Sequence, residues 1–550
     1  MIFMPCEGRP DRRDILRATI SAGALGLAGC SGGGGSGGGN GSGGSGGSNG
    51  SGGSGGGNGS GSGGGNGSGS SGGGNDSGSS SFIEQATSIG FAENWEDRRL
   101  TDLDEWSLEQ RQAIPAEGER ADSSAWAESE AVQSAPWQPP EGWDDTAAGD
   151  VDEIQLLNFG SLEFDPGTAA AHGMFEDRTG ITINPLEITV DQAIPKETAF
   201  LQAGESKPEG FQVVVADSLS SFAEAGHLQM VDPLFGDESM WDPIQPVGKQ
   251  SLNYNDHLQG GPAYLEGDLV HVNVGMLEDQ GIDQSVIDSI VNGEWSWDDL
   301  ETCMQAFEGT DAYAWAYRGA SRTYTMRDFN KHYYQGGGEF VNDDGTVTVN
   351  DEAGYYTLEK MVGWLDNGWV PDSVVNFGQG DLADGFTSGQ FAMVPVYGDL
   401  TKSAQDKFGD DYTPTLTPEG GSDAPSPTRA GLASPNAMAI NANAPDAAKL
   451  AAMVYMDARI SQMTAWWEFV VEGNQSWHTA VYDEAAETDA ALYPEIRGKQ
   501  AELNKTEIFP QQRSIKQNIS QECQQAISGS KSPKEALDSA QEFINTVLGQ

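Results

Sequence analysis

Between residues 31 and 81 the chain holds only Gly, Ser, Asn and a single acidic residue, Asp76. Nothing there can be buried to repay the entropy of ordering, so the stretch reads as a disordered tether and every core must come from residues beyond it. A flexible coil of this length reaches about 40 Å, taking roughly 5–6 Å times the square root of the residue count. Asn-Gly-Ser recurs at Asn40, Asn49, Asn58 and Asn66, with Asn75-Asp76-Ser77 as a variant. Each is an N-glycosylation sequon, and each is equally what drift in a Gly/Ser repeat produces.

The residues before the tether read as an export signal. Arg12, Arg13 and Arg17 precede the run Ala18 to Ala28, which is too short to span a bilayer. Arg12-Arg13-Asp14-Ile15-Leu16-Arg17 resembles a twin-arginine signal, with Asp11 in place of the usual Ser or Thr. Leu27-Ala28-Gly29-Cys30 resembles a lipobox, which makes Cys30 the expected lipidation site and first mature residue. The expected organisation is a signal at 1–29, lipidated Cys30 and tether over 30–81, and an acidic extension over 82–150. The remainder divides into one lobe from 151–265 and 400–460 and a second from 266–399 and 461–550.

Asp and Glu number 83 against 29 Lys and Arg, a formal charge of −54 spread along the chain. Such self-repulsion is tolerable where it is screened, and at molar salt the Debye length is about 3 Å. The composition therefore implies a halophile's protein and argues against nucleic acid as a partner. Cys303 and Cys523, the two cysteines beyond the tether, are read either as one disulfide or as two buried thiols.

The extension carries Trp95, Trp106, Trp126, Trp137 and Trp143, too many aromatics for a disordered segment. It is expected to form short helices, such as Leu103 to Gln112, docked through their tryptophans. From Val151 the pattern becomes α/β: Glu153–Phe159, Val213–Ser218, Asp268–Val274 and Phe391–Val396 read as strands. Thr168–Gly180 reads as a helix closed by its glycine. The last helix opens with the capping box Ser532-Pro533-Lys534-Glu535 and is expected to bury Leu537, Ala540, Ile544 and Val547.

Five segments in this order resemble the carbohydrate-binding extracellular proteins of ABC importers. Ala263–Asp283 is similar to that family's crossing segment, and Trp295–Phe307 to its Trp-Asp-Glu-Leu helix start. Tyr333–Gly345 resembles its Gly-Gly loop, Phe386–Asp399 its Phe-x-x-Gly-x-Ala-Met element, and Asn436–Met456 the strand and helix after the second crossing. The resemblance covers about 400 residues. One departure is Ala433-Ser434-Pro435-Asn436 where the family has Gly-Gly-Trp.

The resemblance implies a type II, two-lobed periplasmic-binding fold that closes on a solute and presents it to membrane permease subunits, here in a haloarchaeal, lipid-anchored form on the outer face of the membrane. It implies a binding protein, not an enzyme, with no cofactor, and a monomer. By motif position the expected ligand contacts are Phe159 and Ser161, Asp217 and Ser218, Tyr264 and Glu266, Tyr333 and Gln335, Tyr397 and Asp399, Ser434 and Asn436, and Trp477. Carboxylates that accept from vicinal hydroxyls and rings that stack on a pyranose suit a sugar. Arg318, Arg322 and Arg327 crowd one stretch; they read either as a clamp for an anionic solute such as glycerol phosphate, with Arg318 as its ligand contact, or as partners of nearby carboxylates. The six histidines show no metal-ligand spacing, and His271 reads as a core residue. A secreted glycoside hydrolase, with two opposed carboxylates, is the competing reading, and turnover of an aryl glycoside would reveal it.

Overall fold

A computed structural model describes residues 76–101, 106–162, 165–320, 324–342 and 344–550. The export signal, Cys30 and nearly all of the tether lie outside the described residues. No described helix is long and apolar enough to cross a membrane.

The extension forms short helices: α1 (Asp76–Ser88), α2 (Trp95–Arg99), α3 (Leu108–Gln112), α4 (Ser123–Glu128) and α5 (Glu130–Ser134). Ser107 caps α3 through a capping box with Gln110, which starts the helix later than the Leu103 expected from sequence. Trp106, Trp126 and Trp137 are fully buried, while Trp95 and Trp143 pack at the edge. Each buried indole removes about 150–250 Å² from water, enough to hold a segment of such short helices against the body.

The body begins with β1 (Glu153–Phe159), α6 (Pro166–Thr179), β2 (Thr182–Ile188), α7 (Val190–Ala203) and β3 (Gly210–Val214). Asp165 starts α6, accepting from the Thr168 backbone N–H at 2.9 Å and from its hydroxyl at 2.6 Å, and Gly180 ends it with φ 74°. β3 ends earlier than the apolar run suggests. Val215–Leu219 is a π-helical turn, so Asp217 and Ser218 leave the sheet plane before a short helix at Ser220–Glu224.

The long strand β4 (Gly261–Asn273) comes next, then α8 (Trp297–Ala306), β5 (Tyr313–Trp315), α9 (Tyr324–Gln335), α10 (Glu352–Asp366), β6 (Phe391–Tyr397), β7 (Tyr412–Thr415) and β8 (Gly431–Ile440). The chain continues through α11 (Asp446–Arg459), α12 (Gln462–Trp467) and a second π-helical turn at Glu468–Glu472, and closes with α13 (Gln512–Ile527) and α14 (Pro533–Leu548). The capping box of α14 is present, and Leu537, Ala540 and Ile544 are buried with Val547 partly so.

One sheet runs in the order β2-β1-β3-β8-β4-β6-β5, with β7 also on β4. β4 belongs to both halves. Its residues Gly261–Gly267 pair with β8, and Asp268–Val272 pair with β6. A first hydrophobic core lies on the β1–β3 side and takes in the extension; a second, with a smaller satellite, lies beyond Asp268. Core membership differs from the boundaries expected from sequence at two places: Leu400, Ala404 and Tyr412 pack with the satellite, and Met463 to Ala485 pack with the first core. Cys303 and Cys523 are free, buried thiols in the second core.

The switch point is tight. A Cβ on Gly267 would lie 2.1 Å from Gln475 Oε1 and 2.3 Å from Asn504 Nδ2, which are hydrogen-bonded to each other and buried. Gly267→Ala is therefore expected to destabilise the protein by about 1–3 kcal/mol in denaturant unfolding at molar salt; an unchanged midpoint would show that the crossing has room to spare.

Candidate functional site at the strand crossing

The polar residues of β4 lie on either side of this switch. Tyr264 sits opposite Asn436, and Glu266 opposite Ser434, in the β4–β8 register. Ser434 and Asn436 are buried, and the Asn436 amide donates to the Ser434 carbonyl at 3.3 Å. Across from Glu266, at the end of β6, Tyr397 hydrogen-bonds its carboxylate. Burial pushes the Glu266 pKa up to about 7; Asp399 and Asp268 add to the rise, against the pull of Arg327 and the Tyr397 hydroxyl. Asp399 reaches solvent yet is walled by protein, and that desolvation raises its pKa too.

Arg327 completes this side of the site. Its guanidinium lies 4.8 Å from the centre of the Tyr397 ring, and its Nε and Nη2 have no hydrogen-bond partner among the described residues. A loose contact of 3.9 Å to Asp268 orients it. Arg318 behaves differently. It is wholly buried, donating to Asp328 through Nε at 3.0 Å and to Asp268 through Nη2 at 2.9 Å, with Gln379 on Nη1. Lys331 joins the same two carboxylates. Burial alone would raise Asp268, but Arg318, Lys331 and Arg327 together hold it below the usual carboxylate range. Arg318 is thus an ion-pair partner inside the second core and not an exposed clamp. Arg322 lies outside the described residues.

On the other side, Tyr264 faces a second group of acids. Burial, then Glu266, Asp165, Glu472 and Glu468, drive its pKa well above the usual tyrosine range. The Asp165, Glu468 and Glu472 oxygens lie within 4.8 Å of one another. Arg459, wholly buried, forms an ion pair with Glu468 and donates to the Thr168 hydroxyl at 3.0 Å. Burial raises Glu468 to about 8 and Glu472 further, and Glu472 shares a hydrogen bond with Asp165. Glu468 and Glu472 therefore hold their protons to higher pH than an ordinary glutamate. An all-oxygen trio suits a hard cation, but Arg459 already occupies Glu468 and Asp165 is spent as the cap of α6.

The structure separates the remaining expected residues into two groups. Phe159 is buried, its N–H donating to Gln212 Oε1 at 2.5 Å, and Ser161 is half-buried on the following loop. Ser218 is buried in the π-helical turn, its hydroxyl donating to the Val214 carbonyl; the Asp217 side chain lies outside the described set. Trp477 is buried against Gly248, with its Nε1 unpartnered among the described residues. Tyr333 and Gln335 do not join the site. Both are buried in the second half, Tyr333 donating to Asp351 at 2.8 Å and Gln335 bonding Trp297, His332 and the Ala430 carbonyl. His271 is likewise engaged by Tyr412 and the Tyr397 carbonyl.

Asp165, Arg459, Glu468 and Glu472 were not among the residues expected from sequence, whereas Arg327 was, as one of the arginine cluster. A usable signal existed for the first, since Asp-Pro-Gly-Thr after a strand is a helix-start pattern, and for Glu468 and Glu472, which share a helix face at a spacing of four.

Comparison with known proteins agrees with this architecture. No curated protein sequence matches the chain. Maltose-bound MalE3 of T. maritima superposes with a TM-score of 0.60 at 16% identity, covering 72% of this chain and 99% of that one. An ABC transporter solute-binding protein of Thermotoga lettingae bound to alpha-D-tagatose gives 0.61 at 19%, covering 72% and 100%. The ABC substrate-binding protein of Listeria monocytogenes in complex with cycloalternan gives 0.59 at 17%, covering 73% and 100%. These structures share the two-lobed α/β fold. The profile described as bacterial extracellular solute-binding protein matches residues 170–468, more than half of the chain, and the protein therefore belongs to that family of binding proteins.

Proposed function

We propose that the protein captures a sugar at the strand crossing and delivers it to a membrane permease. The observation that carries the reading is the row Tyr264, Glu266, Tyr397, Arg327 and Asp399, where acceptor carboxylates, a guanidinium with free donors and two phenol rings line one seam between the cores. Sugar hydroxyls donate to carboxylates and accept from guanidinium, and rings cover the apolar sugar face. The sugars bound by the MalE3, Thermotoga lettingae and Listeria proteins support the same class.

Closure follows from where this row sits. Glu266 belongs to the crossing strand, Tyr397 and Asp399 to the end of β6 on the far side, and Asn436 and Ser434 to the second crossing. A ligand touching all of them favours whichever lobe arrangement brings them together, by its differential contacts alone. Lipid anchoring at Cys30, a tether over 30–81, an outer-face location, a monomeric state and a haloarchaeal setting complete the proposal. They rest on the lipobox-like Leu27–Cys30, on composition and on the charge of −54. An anionic solute is the weaker reading, because Arg318 is committed to Asp268 and Asp328 and Arg327 is flanked by carboxylates.

A thermal-shift screen at molar salt against mono- and oligosaccharides, polyols, uronates and glycerol phosphates tests this. A neutral saccharide at 1,000 times its dissociation constant should stabilise the protein by about 4.1 kcal/mol with no product formed. A shift confined to phosphates or uronates would reject the neutral-sugar assignment.

Glu266→Gln supplies two further outcomes. Measured at pH 8.5, where Glu266 is ionised, affinity for the sugar that scores should fall at least tenfold, about 1.4 kcal/mol, since the amide replaces a charged acceptor. For stability the sign runs the other way. The native Glu266 keeps its proton up to about pH 7 whereas the unfolded chain loses it near the ordinary value, so its contribution is full at low pH and is lost as pH rises through 7. The decline in melting temperature between pH 5.5 and 8.5 should accordingly be smaller in the variant; an identical decline would mean that Glu266 is ionised throughout.

A further inference from the structure

The extension lies outside the matched family segment, which begins at residue 170, yet its strongest contacts converge on two positions beside the acid trio. The first is Asp457, on α11 two residues before Arg459. Its wholly buried carboxylate takes Arg98 Nη1 at 2.5 Å, Arg99 Nε at 2.9 Å and the Trp137 indole N–H at 2.8 Å, all from the extension. The second is Trp467, the residue immediately before Glu468. Its ring centre is 5.4 Å from that of Trp106 and 5.5 Å from that of Trp126, and its indole N–H donates to the Arg111 carbonyl at 3.3 Å. Arg111 also lies 4.2 Å over Trp466 and pairs with Glu484 at 3.0 Å.

These anchors lie two residues before Arg459 and one residue before Glu468 along the chain. Between them lie the rest of α11, the Ile460-Ser461 turn and α12; just past them begins the π-helical turn that carries Glu468 and Glu472. A π-helical turn is a strained insertion that needs outside support to hold one geometry. A buried carboxylate stripped of two arginines would cost far more than a lost hydrophobic contact. The extension is thus more than a cover for apolar surface.

We propose that the N-terminal extension is a positioning element of the binding site, holding α11, α12 and the π-helical turn so that Arg459, Glu468 and Glu472 meet Asp165 in one arrangement. This rests on the reading that the crossing takes the solute, with Tyr264 between that row and the trio. Arg98, Arg99, Trp106, Arg111, Trp126 and Trp137 act through other residues and are positioning residues, not ligand contacts.

The test reads the arrangement without a ligand. In full-length protein labelled with 13C at glutamate side-chain carboxyls, the Glu468 and Glu472 titrations are assigned with Glu468→Gln and Glu472→Gln. They are then compared in Trp137→Phe, which removes one hydrogen bond to Asp457, and Trp126→Phe, which thins one wall of the Trp467 slot. The control is Phe82→Ala, in the same extension but placed by Lys449 at the far end of α11. The groups facing the titrating pair are Asp165, Arg459, Tyr264, Tyr455 and, through Arg459, His172. The expected result is a displacement of the Glu468 or Glu472 midpoint by about one pH unit, a tenfold change in proton affinity, in both phenylalanine variants and none in the control. Midpoints unmoved in Trp137→Phe and Trp126→Phe, or moved equally by Phe82→Ala, would overturn the proposal. Should Trp126→Phe not fold, Trp137→Phe decides alone. Failure of the sugar reading would show separately, as wild-type protein that no saccharide stabilises, and would leave these midpoints untouched.

Discussion

The structure depends on one strand that serves both halves of a single sheet. β4 is nearly all buried over its length, pairs with β8 up to Gly267 and with β6 from Asp268, and is pinned at the switch by the Asp268–Arg318–Asp328–Lys331 network. Four fully buried charges at such a point are poor value as stabilisation, since a matched apolar set would do as well. Their use is geometric. Removing any one leaves an uncompensated charge, so the register at Asp268 admits a single solution, and Glu266 and Tyr397 are delivered to the same place each time.

The seam between the cores is also where the chain keeps its costly carboxylates. Glu266, Asp399, Glu468 and Glu472 are all raised, chiefly by burial. In a chain with a charge of −54 most acids sit on the surface, where salt screens them; the buried Glu266, Glu468 and Glu472 are screened little and answer instead with raised proton affinity. A bound solute that donates hydroxyls to them replaces water that the closed seam would exclude. The extension adds a second brace from outside, with Asp457 and Trp467 as its holds on the first core.

Much of this was legible in the residues. Strand 153–159 and the box at Ser532 are set by local pattern, and the placing of Tyr264, Glu266, Tyr397, Asp399, Ser434 and Asn436 in one neighbourhood followed from motif order. The end of β3 was not. Val213–Val215 reads as a strand core, but the chain turns after Val214 into a π-helical turn, a choice made by tertiary packing and invisible to periodicity. Of the two readings open for Arg318 the structure bears out pairing with carboxylates, while Tyr333 and Gln335 turn inward for a related reason: the groups that satisfy them, Asp351 and the Ala430 carbonyl, are distant in sequence or carry no signal of pairing. Asp165 likewise meets Arg459 and Glu468 from about 300 residues away in sequence, so no window along the chain contains them together.

The central claim is that solute capture at the crossing brings the two cores together, and a distance between them tests it most directly. Thr182 on β2 and Glu542 on α14 are exposed, and Cys303 and Cys523 are buried. Spin labels at Thr182→Cys and Glu542→Cys, with Cys6 and Cys30 changed to serine, would report the separation by pulsed electron resonance at molar salt. A shorter and narrower distance distribution is expected when the saccharide identified by thermal shift is saturating, and at a concentration near the wild-type dissociation constant the change should be much smaller in Glu266→Gln than in the wild type. A saturating saccharide that leaves the distribution unaltered in the wild-type protein would contradict the claim.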